Sequence, residues 1–344
     1  MFRSVLGAAA AVALGAVATA QAADRTLQVQ TSQNAGDFTF QYLSEKWVPR
    51  LERMSGGTLT LELLPTGSVV PHRETLDAVA NGILDGHLTA TSYFTGKEPA
   101  YAIFADFIAA YDNPDQQQTF CNNFGGEEML QKIHDQVTGG RVQVVGCSPY
   151  TREALVSAVP IRSVADLEGV KIRSPEGLAS EVFKRAGATP VAIPFSEIYT
   201  SLEKGVIDAA DASAYANNDA TGLNKIANYP IFPGIHSQAG LEFTVNKATW
   251  DDLSDAERAI LDTWHVAAFA DLRRHAHLVD LELVARDRAG GSAVEEVVDW
   301  PQAERNKFRE IAKGAWADVA ERSELAQEAY QLTMEYLRLE GMVE

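Results

Sequence analysis

The chain has 344 residues, of which 47 are acidic and 29 basic, so its formal net charge is −18. A charge of this size argues against nucleic acid or an anionic membrane surface as a partner. An anionic ligand must therefore be captured by a local basic pocket, against the field of the whole protein.

The N-terminus has the pattern of a secretory signal peptide. Arg3 gives a positively charged n-region, residues 5–18 form the apolar h-region, and Ala20-Gln21-Ala22 is an A-x-A cleavage site. We expect cleavage after Ala22 and export to the periplasm. The remaining chain, about 320 residues, is more than one hydrophobic core usually serves, which favours two lobes.

The first part of the exported chain alternates between strands and helices. Residues 26–31 and 59–63 have the alternation of strands, and a helix between them ends at Gly56. Helical patterns follow over residues 73–81 and 116–136, and residues 141–145 read as a strand. We expect the chain to pass from the first lobe to the second at residues 149–152.

The sequence contains two cysteines, Cys121 and Cys147. An oxidising compartment permits a disulfide between them, and their spacing fits no metal or redox motif. The sequence leaves open whether they form that bond or remain two buried thiols.

The stretch from 171 to 218 predicts strand, helix, strand, helix and strand, with the last strand at residues 206–208. In such open sheets the carboxyl ends of the strands face a crevice that binds ligands. That geometry places Arg173, Phe195 and Asp211 at one rim.

The C-terminal third begins with a clean alternation over residues 241–245, in which Glu242 faces away from the apolar side. Ser254 and Glu257 then form a capping box that starts a helix running as far as Arg288. A helix of roughly 50 Å is longer than one lobe needs. Residues 300–344 are helical in pattern.

The amino-acid sequence of the central stretch resembles that of a known protein family. The sequences IRSP and GATPVAIPFSEIYTSLEKGVIDAAD are similar to those of the solute-binding subunits of TRAP (tripartite ATP-independent periplasmic) transporters, the DctP-type family. The segment TSYFTGKEPAYAIFADF resembles the branch that binds 2-oxo acids and lactate. The likeness covers nearly the whole exported chain.

The resemblance implies an α/β fold, a two-lobe periplasmic binding protein (type II-like) with a long helix that spans both lobes. We expect residues 23–148 and about 240–270 in lobe I, and residues 149–239 and about 271–300 in lobe II. Residues 301–344 would form a helical tail, which packs on its own chain or joins a second copy in a homodimer.

Two arginines are candidates for binding an anionic ligand. The resemblance assigns Arg173 to the ligand carboxylate, and a guanidinium can hold a carboxylate through two parallel hydrogen bonds. Arg152 would lie close to the same ligand, or form a salt bridge with Glu153.

Three further residues are candidates for the walls of the binding site. Tyr93 faces the cleft on the resemblance, or is an ordinary core aromatic. Phe195 would supply an apolar wall beside Arg173. His236 would donate to a second polar group of the ligand, or serve as a polar residue in its loop.

The resemblance to the 2-oxo-acid branch also implies a cation, Na⁺ or Ca²⁺, that touches the ligand carboxylate. Its ligands would be Asp211, the backbone carbonyl of Ala212, and Glu242, since oxygen atoms suit these ions. The chain departs from the branch, which has Glu-Trp where Asp211-Ala212 stands here. Asp211 as a simple helix cap is the alternative.

Among the sequence patterns, no nucleophile elbow, phosphate-binding loop, dinucleotide fingerprint or metal-hydrolase motif is found. We therefore expect a binding protein that captures a small organic anion, a 2-oxo or 2-hydroxy carboxylate, by hinge closure. It would deliver this solute to the membrane permease of a TRAP transporter. The alternative is a secreted enzyme acting on a carboxylate, with Asp211 or Glu242 as general base.

Overall fold

The computed structural model describes residues 25–175, 177–235 and 238–344. The predicted signal peptide, residues 1–22, lies outside the described residues. The strands are β1 Arg25–Thr31, β2 Leu59–Leu64, β3 Gly86–Ala90, β4 Val142–Pro149, β5 Ala154–Ser157, β6 Lys171–Ser174, β7 Thr189–Ala192, β8 Ala209–Ser213 and β9 Gly240–Asn246.

The helices are α1 Phe38–Tyr42, α2 Val48–Met54, α3 Thr75–Ala80, α4 Tyr101–Ala105, α5 Pro114–Asn123, α6 Gly126–Thr138, α7 Leu178–Arg185, α8 Ile198–Glu203, α9 Tyr215–Ala220, α10 Leu223–Ile226, α11 Lys247–Asp251, α12 Asp255–Arg288, α13 Gln302–Ala320 and α14 Glu324–Leu339. None of the described helices is both long and apolar enough to cross a membrane.

The strands form two sheets, one in each lobe. The first has the order β2-β1-β3-β9-β4, with β9 antiparallel to both of its neighbours. The second has the order β5-β8-β6-β7, in which β6 is parallel to β7 and β8. This confirms the predicted two-lobe α/β fold, whereas the exact lobe boundaries stay a prediction.

The central stretch forms the two predicted crossovers, β6-α7-β7 and β7-α8-β8. The last strand begins later than expected, at Ala209 instead of residue 206. Gly205 has a positive φ of 66° and Val206 is 51% exposed, so these residues belong to the turn after α8. Asp211 consequently lies inside β8 and not beyond its end.

The long helix α12 is confirmed at both predicted ends. Ser254 and Glu257 form the capping box, and the helix runs for 34 residues to Arg288. In its first half, Trp264 donates its indole N–H to the carbonyl oxygen of Trp47 in the first lobe. Near its end, Asp287 accepts a hydrogen bond of 2.6 Å from the Tyr215 hydroxyl in the second lobe. One continuous helix therefore joins the two lobes.

The C-terminal helices pack on their own chain. Trp316 of α13 donates to the carbonyl oxygen of Ile108 in the first lobe at 3.2 Å. Phe308 of the same helix lies against Phe183 of α7 in the second lobe, with 5.8 Å between ring centroids. Since both α13 side chains are fully buried, this helix forms a second apolar connection between the lobes.

Cys121 of α5 and Cys147 of β4 form a disulfide, with their Cα atoms 5.8 Å apart. The question that the sequence left open is thereby answered in favour of the bond. The bond fixes α5 against the edge strand of the first sheet.

Candidate functional site

A cavity of about 60 Å³ lies between the two lobes. The first lobe contributes Ser32, Gln33, Ala90, Ser92, Tyr93 and Leu241. The second lobe contributes Arg173, Pro175, Phe195, Ala212 and Ser213, and the crossing segments add Tyr150, Glu153 and Ala239. The lobes touch beside this cleft, where Asn217 accepts a hydrogen bond of 2.9 Å from the backbone N–H of Phe38.

Arg173 is a positively charged side chain that lines this cavity. It is only 5% exposed, and it donates from Nε to the carbonyl of Ile193 at 2.9 Å and from Nη1 to that of Asp211 at 2.6 Å. Within the described residues, no carboxylate pairs with this guanidinium and Nη2 has no hydrogen-bond partner. Two carbonyls therefore fix its orientation, and its Nη1–Nη2 edge is available to a carboxylate.

Three other residues predicted for the site also line the cavity: Tyr93, Phe195 and Ala212. Tyr93 is held edge-on against His72, with 4.4 Å between ring centroids. His236, the remaining candidate for the site wall, lies outside the described residues. The structure thus brings Tyr93, Phe195, Ala212 and Arg173 together around one cavity.

Arg152 corrects a sequence-based expectation. Its guanidinium donates to the carbonyl oxygen of Asp112 at 2.8 Å and lines a different cavity, beside α12. The neighbouring residue, Glu153, faces the cavity that contains Arg173. Thr151 and Arg152 face the cavity beside α12, whereas Tyr150 and Glu153 face the one that contains Arg173, and this separates Arg152 from the ligand site.

Carboxylates of Asp106, Glu153 and Asp211 meet next to the cavity, with one oxygen of each within 4.8 Å of the others. All three side chains are buried, and they come from the first lobe, the crossing segment and the second lobe respectively. The sequence identified Asp211 but missed Asp106 as a member of this cluster. Glu153 had been considered only as a partner of Arg152.

Glu242 does not join this cluster. Its Oε2 lies 2.6 Å from Nε2 of His134, and its Oε1 lies 2.9 Å from Nε2 of His87, the latter contact being poorly aligned for a hydrogen bond. Both faces of β9 are covered, so the side that alternation predicted to be open is buried instead. This corrects the expectation that Glu242 and Asp211 share one cation.

Burial by itself raises the pKa of Glu242, but the charges and hydrogen bonds of His134 and His87 outweigh it and lower the pKa to about 2. The Tyr101 hydroxyl extends the network, at 2.8 Å from Nδ1 of His134. Glu242 is therefore an ionised structural group of the first lobe.

One residue of the site was not identified from the sequence. The hydroxyl of Tyr150 accepts hydrogen bonds from Thr39 of the first lobe and Ser213 of the second, and burial raises its pKa. It is a neutral donor that contacts both lobes beside the cavity.

Two α/β lobes that enclose a cavity, and are joined by crossing segments and a shared helix, have the architecture of a solute-binding protein. Residues 29–323 match the family of bacterial extracellular solute-binding proteins, family 7, DctP. The chain belongs to that family, and it is the solute-binding component of a TRAP transporter.

Among curated relatives, the chain is 30% identical over 253 residues to a monocarboxylate 2-oxoacid-binding periplasmic protein of Nostoc sp., covering 72% of this chain and 68% of that protein. Among solved structures, it resembles a TRAP periplasmic solute-binding protein of Rhodobacter sphaeroides in an apo open state. The TM-score is 0.76 and the identity 40%, over 92% of this chain and 99% of the other.

A further similar structure is a TRAP solute-binding protein of Pseudoalteromonas atlantica with bound sodium and pyruvate. The TM-score is 0.74 and the identity 22%, over 93% of this chain and 95% of the other. The family and fold are those of substrate-binding proteins, and the family implies a periplasmic location and a membrane permease as partner.

Proposed function

We propose that the protein binds a small 2-oxo or 2-hydroxy monocarboxylate in the cavity between its lobes, with Arg173 holding the carboxylate. The observation that carries this proposal is a buried guanidinium without a carboxylate partner among the described residues. A buried charge is costly unless it is paired, and an anionic ligand supplies the missing partner. The relative from Nostoc, described as binding monocarboxylate 2-oxo acids, supports the same ligand class.

The walls of the cavity restrict the ligand's size and shape. Tyr93 and Phe195 present aromatic surfaces, and the volume of about 60 Å³ suits a compact molecule. The hydroxyls of Ser213 and Tyr150 lie on the side of the second lobe and the crossing segment. The Tyr150 hydroxyl accepts from Thr39 and Ser213 and keeps its own proton to donate to a 2-oxo group, and the Ser213 oxygen can accept from a 2-hydroxyl group. The small side chain of Ala212 leaves space for a short substituent at the second carbon.

We further propose a cation, Na⁺ or Ca²⁺, among Asp106, Glu153 and Asp211. Three buried carboxylate oxygens within 4.8 Å of one another suit a hard cation, and their negative charges otherwise repel an anionic ligand. The carbonyl oxygen of Ala212 is a further candidate ligand, as the sequence predicts. The sodium ion and pyruvate in the Pseudoalteromonas protein support this pairing of cation and carboxylate.

Binding is expected to proceed by closure of the lobes without chemical change of the ligand. Closure excludes water, which strengthens the hydrogen bonds of Arg173, and the ligand shifts the equilibrium through its greater affinity for the closed state. A carboxylate-processing enzyme would need a general base facing the ligand. Glu242 cannot serve, because its carboxylate is enclosed by two histidines away from the cavity.

The finer features of location and assembly remain predictions. Removal of a signal peptide after Ala22 is tested by N-terminal sequencing of the exported protein. A homodimer through α13 and α14 is tested by light scattering. Trp316 and Phe308, the large apolar residues of α13, are buried in their own chain.

The proposal is tested by thermal-shift screening of a carboxylate panel, followed by calorimetric titration of the hits. We expect 2-oxo and 2-hydroxy monocarboxylates to stabilise the protein with a stoichiometry of one. Solute recovered after prolonged incubation should be unchanged by NMR. Stabilisation by uncharged analogues as strong as that by the acids, or conversion of the acid to a product, would contradict the proposal.

A further inference from the structure

The crossing segment between β4 and β5 borders two cavities. Tyr150 and Glu153 line the solute cavity, whereas Thr151 and Arg152 line a larger cavity of about 360 Å³. The middle of α12 forms a second wall, and the N-terminus of α5 forms a third. The larger cavity thus lies where the chain passes from one lobe to the other.

The wall formed by α12 is one continuous face of that helix. The cavity is lined by Ala270, Arg273, Arg274, His277 and Asp280, which follow one another at intervals of one or three residues. Arg273 forms the buried part of this face at 8% exposure, while Arg274 and His277 are exposed. The positive side chains therefore extend from the floor of the cavity to its rim.

Arg273 is a buried cation with weak compensation. Its Nη1 donates to Gln118 at 3.0 Å and makes a long contact of 3.4 Å to the carbonyl of Pro149. Its acidic contact is Asp115, at 3.5 Å, whose side chain is 86% exposed and therefore strongly screened. Burial lowers the pKa of Arg273, and it also lowers that of Arg152 across the cavity.

The remaining groups favour an anion as well. Within the described residues, Arg274 has no hydrogen bond or ion pair. The acid Asp280 already accepts a hydrogen bond of 2.7 Å from the backbone N–H of Ala216. The ten-residue helix α5 begins beside the cavity with Asn113 as its cap, and the positive end of its dipole points toward this region.

We propose that this cavity is a second anion site, separate from the solute cavity, that binds an oxyanion carrying two negative charges, with phosphate as its model ligand. Arg152, Arg273 and Arg274 supply guanidinium donors from two walls, and planar guanidinium groups match the oxygens of a phosphoryl group. A volume of about 360 Å³ exceeds that of inorganic phosphate. An organic phosphate is therefore a possible source of the same chemical group.

Such an anion joins elements that belong to different parts of the molecule. Arg152 lies in the crossing segment, and Arg273 and Arg274 lie on the helix that spans both lobes. The bound anion would hold that segment against α12 while Tyr150 and Glu153, on its other side, contact the solute cavity.

The test is a calorimetric titration of the purified Arg173→Ala variant with inorganic phosphate, at constant ionic strength set by chloride. This variant lacks the proposed carboxylate anchor, so phosphate binding to the solute cavity does not contribute. We expect one phosphate per chain. Arg274→Glu added to this background should weaken binding about tenfold or more, because one charge-assisted hydrogen bond is lost.

Arg288→Glu in the same background is the matched control. Arg288 is exposed, lies on the same helix outside the cavity, and has no ion pair within the described residues. Equal weakening by both substitutions, or no phosphate binding to the Arg173→Ala variant, would overturn the second site. Tighter binding of glycerol 3-phosphate than of phosphate identifies an organic phosphate as the anion, and weaker binding identifies the free ion. Failure here leaves the carboxylate proposal intact, since Arg173 is absent throughout.

Discussion

The carbonyl oxygen of Asp211 accepts a hydrogen bond of 2.6 Å from Nη1 of Arg173. The proposed anchor of the anion and a proposed ligand of the cation are therefore joined through the backbone of β8. The Asp211 side-chain carboxylate lies with those of Asp106 and Glu153. A movement of β8 changes both positions together.

Replacing Arg173 should remove most of the affinity for a carboxylate solute. Arg173→Ala deletes charge-assisted hydrogen bonds, and we expect a loss of roughly 10- to 150-fold in calorimetric titrations. Arg173→Lys should lie between wild type and Ala, because it keeps the charge but loses the planar fork. Lys171→Ala, an exposed position on the same strand, is the control and should bind normally. An equal loss in Lys171→Ala would argue against a specific contact.

Removal of cations should weaken solute binding. After chelation in sodium-free buffer, the Asp106, Glu153 and Asp211 carboxylates repel an anion, so we expect at least a tenfold loss of affinity, restored by Ca²⁺ or Na⁺. Asp211→Asn should reduce this cation dependence. Glu203→Gln, at an exposed acid of α8, should retain it. An affinity that is the same with and without cations would exclude the cation from the site.

The sequence predicted the parts of the fold that local signals determine. The crossovers around Arg173 follow from short periodic segments, and the start of α12 follows from the capping box of Ser254. Asp106 was missed because it joins Asp211 only through tertiary packing, across more than a hundred residues of chain. No local pattern reports such a meeting.

Two errors have a common physical origin. The alternation along β9 predicts that Glu242 lies on the opposite face of the strand from its apolar neighbours. It does not show whether that opposite face meets solvent or a second layer of the protein. In the same way, the position of Arg152 near a crossing point did not determine the cavity to which its side chain points. Both assignments depend on which elements cover a segment, and this information is distributed over the whole chain.

Glu242→Gln should destabilise the first lobe without changing the affinity for solute. Gln removes the negative charge that accepts the hydrogen bond of His134, and losing a charge-assisted hydrogen bond costs about 1.5–3 kcal/mol in the free energy of unfolding. Chemical denaturation at pH 7 measures it, with Glu335→Gln at an exposed position of α14 as the control. A change below about 1 kcal/mol would show that this hydrogen bond is not important for stability.

The pH dependence of the same group has a defined sign. The pKa of Glu242 is lowered from 4.5 to about 2, so its ionised form stabilises the folded state above pH 4.5. This contribution is lost as the pH falls from about 4.5 to about 2. The difference in stability between wild type and Glu242→Gln should therefore shrink over this range, as measured by denaturation at successive pH values. A difference that grows toward acid pH would contradict the assignment.

Loss of the disulfide should lower stability while leaving the solute site in place. Cys121 and Cys147 are 26 residues apart. A disulfide that closes a loop of this length lowers the entropy of the unfolded chain and so stabilises the folded protein by about 3–4 kcal/mol. The double substitution to serine should therefore unfold at lower denaturant concentration, with unchanged affinity for a carboxylate, because neither cysteine lines the cavity. Adding a reductant should lower the midpoint of the wild type and leave that of the double variant unchanged. An equal response of both proteins to the reductant would show that the bond does not contribute.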